Sequence, residues 1–278
     1  MSDAKASTLL KVIYGIVLIQ DISWEAMSLT RIDCVFLAPP AWQDLSACVA
    51  LNPSAKPGSL VFAGAEAARE GISAQVACKL ALEHFIAAVL DESERPPPPL
   101  VDEDKGSLVL EAAFKNANTS VYSFGHRLAA GGRMAASVLG LIINETVCAA
   151  GRAGLGTAYL FRNGELYPFF ERQNRPEGQA ASERLIGAHS IVAVELASVP
   201  IEAGDLLVAF SQTPAIEAEA QLAVLMAEIE SEQPLKASLL VESQLRRIVA
   251  RIFGKPDALS FSILARLGPE AIYLEQSL

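Results

Sequence analysis

Apolar residues recur along this chain with two different periods, and the order in which those periods alternate limits the architecture. Cys78, Leu82, Phe85 and Val89 are spaced i, i+4, i+7 and i+11, which puts them on one face of a helix. Leu110, Phe114, Ala117, Val121 and Phe124 do the same. Between them, Glu94-Arg95-Pro96-Pro97-Pro98-Pro99 cannot continue a helix and favours an extended segment. It predicts a stiff connector joining two antiparallel helices. A second helical pair is predicted where Leu222, Leu225, Met226 and Ile229 mark one member, and Leu245, Ile248, Val249 and Ile252 the other, with Gln233-Pro234 between them.

Between the helical pairs the period changes to that of strands. Ala136 to Ile143, Val147 to Ala150 and Thr157 to Arg162 are short apolar runs, and Asn163-Gly164 joins the last of them to Glu165-Leu166-Tyr167. Asn-Gly in that setting predicts a type I′ hairpin, because both central residues need positive φ. Ile191 to Leu196 and Leu206 to Phe210 read as two further strands, with Gly204-Asp205 as the turn before the latter. Leu259, Phe261 and Ile263 alternate with Ser260 and Ser262, the pattern of a half-buried strand. Leu9 to Ile19 is too short to span a bilayer, contains Lys11 and precedes no small-residue cleavage site, so a buried strand is expected there rather than a signal peptide. Helices come in pairs and never alternate singly with strands, which argues for antiparallel sheets covered by helical pairs.

Composition narrows the function classes. Of 278 residues, 51% are hydrophobic and 19% charged, ample for a sizeable core. The formal charge of −10, with no long basic run, argues against nucleic acid or an anionic membrane as partner. Cys34, Cys48, Cys78 and Cys148 are scattered, which predicts reduced thiols in the cytoplasm and no zinc site. His84, His126 and His189 lack a second ligand at helical spacing and read as structural. Gly151-Arg152-Ala153-Gly154-Leu155-Gly156 lacks the lysine of a phosphate-binding loop and reads as a connection between strands. Asp102-Glu103-Asp104 suits a helix start.

Several stretches then resemble one family in the same order. Val61-Phe62-Ala63-Gly64-Ala65-Glu66-Ala67-Ala68-Arg69-Glu70-Gly71, followed by Val76-Ala77, is similar to "VFAVADGMGGH…VAS". Ala113-Phe114 with Ala117-Asn118 is similar to "AF..AN", and Gly131-Gly132-Arg133-Met134-Ala135 stands where Gly-Thr-Thr opens a strand. Gly154-Leu155-Gly156-Thr157-Ala158-Tyr159-Leu160-Phe161-Arg162-Asn163-Gly164-Glu165-Leu166 follows "GDSRAYLYRNGEL". Gly204-Asp205-Leu206-Leu207-Val208-Ala209-Phe210-Ser211 resembles "GDLLLLCSDG", and Asp257-Ala258-Leu259-Ser260 sits where "DNIT" stands. Over roughly residues 28 to 265 the chain thus resembles the metal-dependent (PPM, type 2C) protein serine/threonine phosphatases. The resemblance implies one α+β domain over 1–278, a four-layer αββα sandwich of two antiparallel β-sheets flanked by pairs of antiparallel helices.

The family hydrolyses phosphoserine and phosphothreonine with water activated between two Mg²⁺ or Mn²⁺ ions, which need several carboxylates around them. This chain departs from that set. Glu66 and Ala67 replace the bridging Asp-Gly, and Ala68 replaces a histidine. Leu155 stands at the aspartate of "GDSR", and Ser211-Gln212-Thr213 at Ser-Asp-Gly, so Gln212 is a neutral amide in place of a ligand. Arg31-Ile32-Asp33 falls where the family has "NED", and the phosphate-binding arginine falls near Ser28. Asp33, Glu66 and Asp257 are therefore the vestigial metal-site positions, and Ala67, Leu155 and Gln212 the lost ones. The expectation is a catalytically inactive, phosphatase-like module that is not an enzyme and carries no cofactor. It would bind a protein partner in serine/threonine phosphorylation signalling (a kinase, a phosphoprotein or a regulator), and self-association is compatible with its apolar content. Two alternatives stand beside it. One is a divergent, weakly active phosphatase holding a single Mg²⁺ or Mn²⁺ through Asp33, Glu66 and Asp257. The other is a small-ligand sensor using the emptied cleft.

Overall fold

Strands whose residues are buried on both faces dominate the centre of the protein, as a sheet covered on two sides requires. The computed structural model describes residues 31–53, 59–94, 105–128, 134–144, 147–172, 184–202, 204–231 and 238–268. The segment 9–19, the proline connector after Glu94, residues 102–104, 131–133 and 233–234, and Ser28 lie outside the described residues. Strands β1 (Arg31–Leu37), β2 (Ser46–Leu51) and β3 (Leu60–Ala67) precede helices α1 (Ile72–Glu94) and α2 (Lys105–Arg127). Strands β4 (Ala136–Ile143), β5 (Val147–Ala153), β6 (Thr157–Arg162), β7 (Glu165–Pro168), β8 (Glu195–Pro200) and β9 (Leu206–Phe210) follow. Helices α3 (Ile216–Ser231) and α4 (Ser238–Phe253) and strand β10 (Ser262–Gly268) complete the order.

The strands form two five-stranded antiparallel sheets, ordered β1-β10-β9-β6-β7 and β2-β3-β4-β5-β8. Three apolar layers hold four layers of structure together. One, with Phe85, Phe114 and Val138, joins α1 and α2 to the second sheet. The next, with Phe62, Leu139 and Phe261, lies between the sheets. The third, with Phe210, Met226 and Ile248, joins the first sheet to α3 and α4. The αββα expectation holds. Lys105 Nζ donates to the Ser93 carbonyl at 3.4 Å, and Phe85 meets Phe114 edge-on at 5.0 Å further in, so α1 and α2 run antiparallel. By length and composition α1 is apolar enough to cross a bilayer, yet Ala77, Phe85 and Val89 on one of its faces are buried in the core.

The helical faces read from the sequence are the buried ones, except that Leu82, Phe124 and Ile252 are only half-buried. The Asn163-Gly164 turn has φ of 52° and 82°, the left-handed pair that a type I′ hairpin demands. Two strand readings need correction. The last strand before β9 runs Glu195–Pro200, paired with β5 from Arg152↔Glu195 to Val147↔Pro200, and not Ile191–Leu196. Ile191 is 82% exposed, while Asn118 Nδ2 donates to the His189 and Ser190 carbonyls at 3.1 Å and pins that stretch to α2 instead. The strand after α4 starts at Ser262, which is buried because β10 lies inside its sheet with both faces covered, while Ser260, before the strand, is buried against Ser46 and Glu66 of the other sheet.

Asp205 does more than turn the chain. Its side chain is 2% exposed and takes Arg162 Nε at 2.7 Å and Nη2 at 2.6 Å, plus the Glu202 N–H at 2.7 Å. Removing one partner of such a pair leaves the other uncompensated. Asp205→Ala is expected to lower unfolding free energy by about 3 kcal/mol in urea titration, far beyond the loss of a turn residue.

Candidate functional site

At the end of β3 the chain places a carboxyl group where the two sheets meet. The side of β3 that faces the other sheet reads Phe62, Gly64, Glu66. Phe62 packs on the Phe261 ring with centroids 6.0 Å apart. A β-carbon on Gly64 would fall 2.6 Å from that same ring, so only glycine allows the sheets this approach. Glu66 comes next and meets Ser260: the serine Oγ donates to Oε2 at 2.5 Å.

Glu66 is paired with Ser46 on β2 and Ser137 on β4 in register. From the other sheet come Ser211, just past β9, and Ser260, just before β10. Ser260 N donates to Ser211 Oγ at 3.2 Å, and Ser46 Oγ lies 3.2 Å from the Ser260 carbonyl. Burial is the largest influence on the Glu66 carboxyl and pushes it above the ordinary carboxylate range, against the lowering pull of hydrogen bonds from Ser260, Ser211 and Gln212. The group is therefore held by neutral donors from the opposite sheet and its connections.

The connections around this end carry the other candidates. Ala67 N donates to the Leu45 carbonyl at 2.7 Å, and Ala68 N to the Ala135 carbonyl at 3.1 Å. Leu155, in the turn between β5 and β6, donates its N–H to Ser137 Oγ at 2.9 Å and accepts from Thr213 Oγ at 3.2 Å, with its side chain 53% exposed. Asp257 is exposed in the turn after α4, and its carbonyl accepts the Trp42 indole N–H at 3.1 Å. The structure thus brings Glu66, Ala67, Leu155 and Gln212 to one end of the sandwich, with Asp257 on the turn leading to Ser260.

Asp33 does not belong with them. It lies on β1 opposite Arg266, four register positions from the Leu37↔Ser262 pair, about 13 Å along the strand from the end where Ser260 meets Glu66. From the preceding strand Ser46 pairs with Glu66, and Leu45, just before it, accepts from Ala67 N, with Asp44 next in sequence. A strand over Ser46–Leu51, paired with the one ending at Glu66, is the signal that would have found them. Ser211 and Ser260 were also missed as partners of Glu66, because their role depends on a contact between sheets.

A pair of divalent ions requires several carboxylate oxygens. Among the described residues no group of three or more His, Cys, Asp or Glu side chains is placed to hold a metal ion. With alanine, leucine and glutamine at Ala67, Leu155 and Gln212, and Glu66 bonded to serine, this donor set does not fit two metals. His84 is half-buried on α1, His126 packs against Tyr122 at 4.2 Å between ring centroids, and His189 is exposed in the loop held by Asn118.

The Glu66 shift fixes the sign of a pH effect. A carboxyl raised in the folded state adds stability that is fully present below its unfolded value, near 4.5, and is lost as pH rises through the folded value. Glu66→Gln stays neutral throughout, so it is expected to gain stability relative to the parent as pH climbs from about 4.5 towards neutrality. Urea unfolding at several pH values reads this directly, and parallel curves for the two proteins would contradict it.

No family model and no curated protein matches the sequence. The fold, in contrast, is shared with solved structures. A serine/threonine phosphatase of S. agalactiae superposes with a TM-score of 0.58 at 11% identity, covering 86% of this chain and 99% of that one. The catalytic domain of the serine/threonine protein phosphatase PstP, in complex with two manganese ions, gives 0.56 at 15% identity, covering 86% and 99%. PppA, a regulatory component of T6SS in Pseudomonas aeruginosa, gives 0.55 at 14% identity, covering 87% and 99%. The expectation that the chain is not an enzyme is corrected by these likenesses, since structures that share its architecture are serine/threonine phosphatases. Two five-stranded sheets between helical pairs, with Glu66 at their shared end, give this chain the fold of the PP2C-type protein serine/threonine phosphatases.

Proposed function

We propose that this protein acts in serine/threonine phosphorylation signalling as a PP2C-fold binding or regulatory module, and that a protein partner engages the end of the sandwich around Glu66. The observation that carries the reading is the replacement of charge by neutral groups at that end. Glu66 is bonded by Ser260, and Leu155, Gln212 and Ala67 stand where the resemblance implies metal carboxylates or their neighbour. The solved relative in fold named as a regulatory component, PppA, supports a regulatory setting. The reading includes a cytoplasmic location, supported by Cys78, whose buried thiol is pushed up to about 12 and is unpaired by disulfide.

A second reading, a divergent phosphatase with a single Mg²⁺ or Mn²⁺ near Glu66 and Asp257, is favoured by the likeness to metal-loaded PstP. One experiment separates the two. Full-length protein is crosslinked to its partners in cells and the sites are mapped, while calorimetry with Mn²⁺ and hydrolysis of an aryl phosphate are measured in parallel. Crosslinks from a signalling protein to the Leu155 and Thr213 connections support the binding role. Saturable Mn²⁺ binding with metal-dependent turnover, and no partner at that end, would replace it with the enzymatic one. A constructive check completes the set. Glu66→Asp with Leu155→Asp and Gln212→Asp returns carboxylates to the shared end, and Mn²⁺ at a hundredfold excess over its dissociation constant is expected to stabilise that variant by about 2.7 kcal/mol in thermal unfolding.

A further inference from the structure

The surface at the Glu66 end is apolar in its middle and acidic around its margin, and we propose that it docks a basic polypeptide segment of the partner through an apolar anchor residue. The proposal rests on the binding reading above and specifies the chemistry of its partner. Leu155 is 53% exposed and Ile216 64%. The Thr213 hydroxyl bonded to the Leu155 carbonyl ties the β5–β6 turn to the segment entering α3, so both side chains belong to one surface. Ala67 and Ala68 reach the same end from β3, beside the Ser137 hydroxyl that holds the Leu155 N–H. A partner side chain set among these groups finds no charge to pair with and must itself be apolar.

Carboxylates surround this patch. Asp44 precedes Leu45, whose carbonyl accepts from Ala67 N, and Glu70 lies in the connection from β3 to α1. Glu217 follows Ile216 in the first turn of α3, and Asp257 is tied through its carbonyl to Trp42. All of these acids are exposed; among the described residues Arg69 and Lys255 oppose them on the same connections, while Arg172, which donates to the Pro214 carbonyl at 3.0 Å, is already paired with Glu219 at 2.9 Å. In a chain of formal charge −10, that margin attracts a basic segment and repels a phosphate group. Of the partner classes open to the module, an unphosphorylated basic stretch flanking a leucine-like anchor fits, and a phosphorylated side chain does not.

Fluorescence anisotropy of two labelled synthetic peptides with the full-length protein tests this, one alternating Lys and Leu, the other Glu and Leu. The Lys/Leu peptide is expected to bind saturably, about tenfold more tightly than the Glu/Leu peptide, and to weaken by a similar factor when salt rises from about 50 to 500 mM. The double variant Leu155→Ser with Ile216→Ser is expected to lose about tenfold in affinity at unchanged Tm, as both side chains are exposed. Asp44→Asn with Asp257→Asn is expected to remove most of the salt dependence while leaving the anchor contact. Equal binding of both peptides, or affinity unmoved in both variants, overturns the proposal. The wider binding reading survives that result if crosslinking still captures a signalling partner at the Leu155 end. Self-association lost in the Leu155/Ile216 variant overturns it too, by assigning the surface to a second copy of the chain.

Discussion

A carboxyl group taken out of water must be neutralised, paired or supplied with hydrogen bonds, and that requirement shapes one whole end of this protein. Glu66 belongs to one sheet, while Ser260 and Ser211 belong to the other. The bonds that satisfy the carboxyl therefore also fix how the sheets meet. Gly64 lets Phe261 come close, Phe261 brings Ser260 with it, and Ser260 reaches Glu66. Glu66 is in this sense a latch between sheets, set at the open edge of an otherwise apolar interface.

The remainder of the scaffold depends on three layers of ordinary hydrophobic packing that owe nothing to the latch. Three of the positions that the resemblance links to metal binding sit on connections: Leu155 in a turn, Gln212 after β9, Asp257 after α4. Exchanging such residues alters charge at the surface without opening a cavity, so fold and chemistry can diverge independently here. Asn118 illustrates the other kind of polar residue. Its amide donates to the His189 and Ser190 carbonyls and accepts from Gly187 N at 2.8 Å, closing the loop that bridges to Ala136 beside Ser137. That arrangement positions the strand next to Glu66 and asks nothing of a ligand.

Legibility in the sequence followed the range of the interaction. Helical faces such as Leu110, Phe114, Ala117 and Val121 were readable because their spacing is local. So was the Asn163-Gly164 hairpin, whose backbone angles follow from two residues. Ile191 to Val194 looks like a strand by composition, yet the pairing partner on β5 begins opposite Glu195, and pairing is a long-range choice that β-branched residues do not make alone. Ser260 and Ser262 mimic the alternation of a half-exposed strand, but Ser260 is buried against Glu66 and Ser46 of the other sheet and Ser262 lies in a strand whose residues are almost all buried. Asp33 falls on β1, away from Glu66, for a related reason: the Pro39–Leu45 connection carries no pattern, so neither β2 nor its register with β3 is visible in the sequence.

Hydroxyl and amide donors around Glu66 act on its carboxyl differently from cations. A divalent ion stabilises only the charged carboxylate, whereas serine and amide hydrogens can bond to either form as the carboxyl titrates. A site built on serines consequently holds its geometry across a change of protonation that would empty a metal centre. On the proposed binding reading, the exposed Leu155 and Ile216 and the acidic residues around them set what that surface attracts, through apolar contact and carboxylate charge.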